Sequence, residues 1–129
     1  MRWSLFLLEA CLSFLVMSQA PTTVKKKHLG TYRGELPAYT LTWGVEQVPV
    51  SACPIVVRLG ANDFSIQLGE QRYKGTWRIS FQTSDYYQLE GFIPGRVVSE
   101  QFQLYKQRRI LIREGIFTQP NAVLELEEK

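Results

Sequence analysis

Glu100 and Glu114 are the residues through which this sequence points most directly to chemistry. Both fall on the apolar side of an alternating apolar and polar pattern. A turn at Pro94-Gly95 sets Glu100 opposite Leu89, and a short turn at Lys106-Gln107-Arg108 then sets it opposite Glu114. Two facing carboxylates with little water around them share a proton, raise one pKa or hold a cation. Glu114 ends its strand, so the same register also allows a hydrated pair at the rim with no special chemistry. Tyr32, on the inner face of the first strand, is placed to donate to such a carboxylate.

Aromatic residues are the second candidate set. Phe64, Tyr73, Trp77, Phe81, Tyr87 and Phe102 share the apolar face. They line a ligand cavity if the fold is hollow, or fill it if it is not. A barrel of about eight strands is just wide enough for side chains to fill. Phe64, Trp77 and Phe81 lie mid-strand and read as packing. A cavity belongs nearer the loops, where Tyr39 and Trp43 can act as a lid. The candidate ligand-binding set is therefore Glu100, Glu114, Tyr32, Tyr39, Trp43 and Tyr87.

No catalytic set assembles. The one histidine, His28, follows three lysines and reads as exposed, so no serine or cysteine has a base. Cys53 precedes Pro54 at a strand start and reads as an inert thiol. One histidine and two cysteines make a zinc cluster a poor reading, and there is no P-loop or HExxH motif. The expectation is a non-catalytic protein, with no cofactor named by the sequence.

The elements that must position these residues are strands. Apolar and polar residues alternate from Pro54 to Arg113, with turn residues between the runs. Ile55, Val57 and Leu59 share a face, and Gly60-Ala61-Asn62-Asp63 sets Leu59 opposite Phe64. The next turn pairs Leu68 with Tyr73. A loop at Thr83-Ser84-Asp85 pairs Phe81 with Tyr87, Ile79 with Leu89 and Trp77 with Gly91. Pro94-Gly95 pairs Gly91 with Val98 and Tyr87 with Phe102, and the last turn pairs Leu104 with Ile110 and Phe102 with Ile112. The core expected on this register is Phe64, Ile66, Trp77, Ile79, Leu89, Phe102 and Ile112. The other face carries Arg58, Gln67, Lys74, Arg78, Gln101, Gln103 and Arg113 and is solvated. One packed and one wet face mark an antiparallel meander. Gly75 and Gly91, beside Trp77, leave room for the indole. Further strands are expected over Leu29–Leu36 and Ala122–Glu127, with another around Tyr39–Val45. The fold class is all-β, an up-and-down meander of about eight strands closed as a small barrel, which satisfies its outermost backbone groups. A β-sandwich is the alternative.

The termini and charge bound the rest. Leu5–Val16 is mostly apolar, Ser18-Gln19-Ala20 offers a cleavage site, and residues 1–20 read as a secretory signal. Cys11 stands in a poor lipobox, Leu8-Glu9-Ala10-Cys11, which leaves its lipidation open. Translation from Met17 would instead leave a cytoplasmic protein. Residues 21–28, with Lys25-Lys26-Lys27, read as a basic flexible tail, and 29–129 as one domain. The net charge of +3 is too mild to argue for nucleic acid. The apolar run is short for a stable span, which needs ~20 residues, so no membrane span is expected after cleavage.

Gly30-Thr31-Tyr32-Arg33-Gly34-Glu35-Leu36-Pro37 resembles the opening strand of small envelope barrels of the NlpE-like lipoprotein type. More loosely, it is similar to the Gly-x-Trp opening of lipocalins. Those lipoproteins carry Cys-x-x-Cys after the Leu-Pro, where this chain has Ala38-Tyr39-Thr40-Leu41. The resemblance thus implies an exported β-barrel and not the family's metal or redox chemistry. Two functions follow. One is an exported barrel binding a small apolar or amphipathic ligand within its mouth. The other is a cell-envelope structural or protein-interaction module with a filled interior. A cavity above about 300 Å³ lined by the aromatics favours the first, and a solid interior the second.

Overall fold

The computed structural model describes residues 23–127, so the expected signal segment and Cys11 lie outside the described residues. The chain is all-β. β1 (Gly30–Leu36), β4 (Cys53–Leu59), β5 (Asp63–Leu68), β6 (Gln71–Gln82), β7 (Tyr86–Phe92), β8 (Glu100–Tyr105), β9 (Ile110–Arg113) and β10 (Ala122–Leu126) close an antiparallel barrel. The order is up-and-down, and β1 joins β10 on one side and β4 on the other. Between β1 and β4 the chain makes a separate hairpin, β2 (Tyr39–Trp43) with β3 (Glu46–Val50), which lies outside the barrel. The sequence pattern shows β2 but not its partner, because Glu46-Gln47-Val48-Pro49 carries little apolar alternation.

The hairpin register follows the turns. Leu59 faces Phe64 across β4–β5, as the Gly60–Asp63 turn predicts. At β5–β6 the turn is tighter than expected: Leu68 faces Gln71, with Gly69 at φ 60°. At β7–β8 the connection is longer, so Gly91 faces Glu100 and Leu89 faces Phe102. Each of these differences is two residues, which keeps every side chain on its face. Trp77 with Gly91 and Ile79 with Leu89 are as expected, but a bulge between Ile79 and Phe81 turns Phe81 outward.

β8–β9 differs by one residue, and one residue inverts a strand. Phe102 faces Arg113, and Leu104 faces Leu111. Leu111 and Arg113 are therefore buried, while Ile112 is only half-buried on the outer side. Ile110-Leu111-Ile112 is apolar on both faces, so hydrophobic pattern cannot choose its parity. Arg113, expected in solvent, is instead one of the most buried side chains.

The interior is filled. Ile55, Val57, Ile66, Leu89, Phe102, Leu104, Leu111 and Leu124 expose no surface, so no water-sized void touches them. Phe64 and Phe102 meet in a T-shaped contact at 5.6 Å between centroids. Gly75 and Gly91 make room for Phe64 rather than for Trp77: a Cβ on Gly91 would lie 2.8 Å from the Phe64 ring. Trp77 sits beside the β4–β5 turn, its Nε1 donating to the carbonyls of Gly60 and Asp63 at 3.0 Å each.

Candidate functional site

The barrel has two unlike ends. Val24 and His28 close one, the tail end, where Lys26–His28 forms a 3-10 turn. His28 is buried, not exposed, and residues 24–28 pack on the barrel although Lys25, Lys26 and Lys27 themselves stay in solvent. Tyr32 donates its hydroxyl to the His28 carbonyl at 2.7 Å. Burial pushes the Tyr32 phenol up to about 12. Burial also lowers the His28 pKa, helped by the charges of Lys27, Lys25 and Lys106. The His28 ring meets Tyr87 at 6.1 Å, and the Lys106 ammonium lies 4.6 Å from the Tyr87 centroid.

β1 gives way to the β2–β3 arm at the other, hairpin end. Here Glu100 opens β8 and Arg113 closes β9, so adjacent strands bring the two side chains together. Arg113 Nε donates to Glu100 Oε1 at 2.7 Å and Nη2 to Oε2 at 3.1 Å, a bidentate pair in which both residues are fully buried. Arg96 Nη1 adds a third bond to Glu100 Oε2 at 2.8 Å. Arg113 Nη1 donates to Gln119 Oε1 at 2.9 Å, and the Arg96 guanidinium lies 4.6 Å from the Tyr73 ring centroid. Such a pair is retained only when its hydrogen bonds are satisfied. Among the described residues no buried side-chain nitrogen or oxygen lacks a partner.

The carboxylate pair expected from the sequence is thus replaced by a carboxylate–guanidinium network. Glu114 lies on the outer face and accepts from Gln103 Nε2 at 3.3 Å. Its backbone N–H bonds to Gln101, which continues the β8–β9 ladder. The other candidates are not brought to Glu100. Tyr32 and Tyr87 sit at the tail end, and Tyr32 spends its hydroxyl on His28. Tyr39 packs against the core at the foot of the arm. Trp43, 75% exposed, stands at the tip of the arm and not over a cavity as a lid. Arg96, Arg113 and Gln119 were not singled out in the sequence. A buried glutamate needs a cationic neighbour, and Arg113 is the only cation that a one-residue change of register brings opposite β8's inner face. That was the available signal.

A cavity of about 400 Å³ opens at the hairpin end beside this network. Two others, of about 570 and 320 Å³, lie at the tail end among Lys26, Lys27, Lys106 and Arg108. Of the exposed large apolar side chains, Trp43, Val45 and Val48 lie on the arm, Val97, Val98 and Phe117 on the β7–β8 and β9–β10 connections, and Phe81, Phe92 and Val123 on barrel strands. Cys53 is a half-buried free thiol. Among the described residues no group of three His, Cys, Asp or Glu could hold a metal ion, and no helix is long and apolar enough to cross a membrane.

The chain matches no family model, no curated protein and no solved structure.

Proposed function

We propose that the protein is an exported, non-catalytic interaction module. Its barrel is a filled scaffold, and its contacts are made by the hairpin end. The observation that carries this reading is the packed interior: the ring from Ile55 to Leu124 leaves a ligand no room inside the barrel. Large apolar side chains in solvent mark contact surfaces where several share one element, and the arm carries three, Trp43, Val45 and Val48. Export rests on the apolar run Leu5–Val16 and the small residues before Pro21, in keeping with the resemblance of the β1 sequence to envelope barrels.

Native mass spectrometry of the protein purified from its source tests the reading. The expected species is a complex with another polypeptide, lost when Trp43→Ser and Val45→Asp are combined, while the circular dichroism of the barrel stays unchanged. The absence of any bound polypeptide, or a complex indifferent to the arm, would overturn it.

A further inference from the structure

The hairpin-end cavity is lined by two guanidiniums and no carboxylate. Arg96 and Arg113 reach it together with Tyr73, Val98, Ile116 and Phe117. The one acid of the network, Glu100, lies wholly buried behind them with both oxygens engaged. One carboxylate offsets one guanidinium, so the floor of the cavity keeps a surplus positive charge. Arg96 donates one hydrogen bond within the barrel, to Glu100, and a guanidinium has five N–H groups to give. Its side chain is 28% exposed and is held against the Tyr73 ring rather than free to swing.

The cavity wall sets apolar Val98, Ile116 and Phe117 beside polar Gln71 and Gln119, and part of it is built at a cost. Phe117 has φ 58°, a left-handed backbone rare for an aromatic residue, and its side chain is 90% exposed. The β9–β10 connection enforces this. Gly115 approaches the Gln119 carbonyl so closely that a Cβ would lie 1.9 Å from it. The Gly115 N–H is held by Asn121, the Gln119 N–H by the Ile116 carbonyl, and the Gln119 side chain by Arg113. The loop that steadies Arg113 is therefore the loop that holds Phe117 at the cavity.

We propose that this cavity binds a carboxylate carried on an apolar group. Arg96 is its main donor, Arg113 fixes the floor, and Val98, Ile116 and Phe117 cover the apolar part. The C-terminus of a peptide ending in an apolar residue and a short free carboxylic acid share that chemistry, and a volume of about 400 Å³ suits either. The inference rests on the reading of the hairpin end as the contact surface, and gives that surface a chemical specificity.

Calorimetric titration of the full chain tests it with N-acetyl-leucine, N-acetyl-leucinamide, and one hexapeptide ending in leucine, prepared as the acid and as the amide. The acids are expected to bind at least about tenfold more tightly than the matching amides, since charge-assisted hydrogen bonds are the stronger kind. Arg96→Gln should abolish that preference while circular dichroism shows the barrel intact. Phe117→Ala should weaken acid and amide by a similar factor. Tighter binding of the peptide acid than of N-acetyl-leucine assigns the site to a chain terminus, and equal binding assigns it to a free acid. Equal binding of acid and amide, or no heat from any probe at millimolar concentration, would overturn the inference. The arm-dependence of a polypeptide complex would be untouched by that result.

Discussion

Glu100 is held by two arginines, of which Arg113 is buried with it where water has no access and Arg96 is partly exposed. Breaking a buried ion pair from one side leaves an uncompensated charge and costs about 3–5 kcal/mol. Arg113→Leu should cost at least the lower part of that range in urea denaturation, with Arg96 still in contact. Adding Glu100→Gln to Arg113→Leu should recover a good part of the loss, because the stranded charge is then gone. If the double variant is the weaker of the two, the network is not what makes Arg113 costly to remove. The tail end carries the pH dependence. The Tyr32 phenol titrates about 12 in the fold, against 10 in the open chain. The unfolded chain therefore ionises first, and stability present below pH 10 is lost as pH rises toward 12. The loss should be roughly 1–3 kcal/mol. Tyr32→Phe should flatten that alkaline slope. His28 has a lowered pKa, so its contribution is present above the open-chain value of 6.5 and is lost as pH falls below it. His28→Gln should remove this acid slope, and unfolding free energies measured across pH 4–12 read both. A wild-type slope that survives either substitution would place the titrating group elsewhere.

At the level of strands, β9 decides what the site is. Its inner residues are Leu111 and Arg113, so Leu111→Ala should cost about 2–5 kcal/mol and Ile112→Ala markedly less. Equal costs, or the reverse order, would favour the register in which Ile112 faces inward. The barrel itself was legible in the sequence because its hairpins constrain each other: the inner faces of β4, β5, β7 and β8 and the first half of β6 are those the alternation requires. Two errors of two residues, at β5–β6 and β7–β8, did no harm to those faces. The pattern misstates turn length there because Gly69-Glu70 closes in fewer residues than the run of polar residues implies, and Pro94-Gly95 sits within a longer loop. The bulge after Ile79 was not legible, since Ser80 looks like any outward residue. β9 was not legible from hydrophobicity because three successive apolar residues carry no parity. The alternation places Glu100 inside but gives it the wrong partner, so where the pattern predicts two acids the fold holds an acid between two cations. Three lysine neighbours, which do stay in solvent, make His28 look exposed in the sequence. What buries it is the open end of the barrel, a feature that exists only after closure.

For the molecule as a whole, the barrel and the arm are separable in stability. Leu36 and Cys53 are paired across the foot of the arm, so a short turn can join β1 to β4. Replacing residues 40–49 by a turn that joins Tyr39 to its partner Val50 keeps the Tyr39 contact with the core, and should leave the melting transition of the barrel cooperative and close to that of the parent, as followed by circular dichroism. Its collapse would mean that the arm is part of the fold. A lone two-stranded hairpin is marginal in water, and hydrogen exchange should find the amides of β2 and β3 opening well before those of β7 and β8. Closure has one further consequence. Every barrel strand has a neighbour on both sides for at least part of its length, whereas β2 and β3 of the arm have a neighbour on one side only. Pro49 faces Thr40 in the β2–β3 ladder and has no N–H, so its nitrogen must look away from β2, toward the outer side of β3. That side lacks a donor at the fourth of the five residues of β3, and proline on an edge is one way natural proteins blunt it against templated growth. Pro49→Val should restore the donor and lengthen a usable edge of β-prone residues. Light scattering at high concentration should then show self-association that the parent chain lacks. A variant that stays as dispersed as the parent would mean that the edge was never a risk. The proline is thus read as a guard: it lets an apolar arm stand in solvent without its neighbours on other molecules zipping onto it.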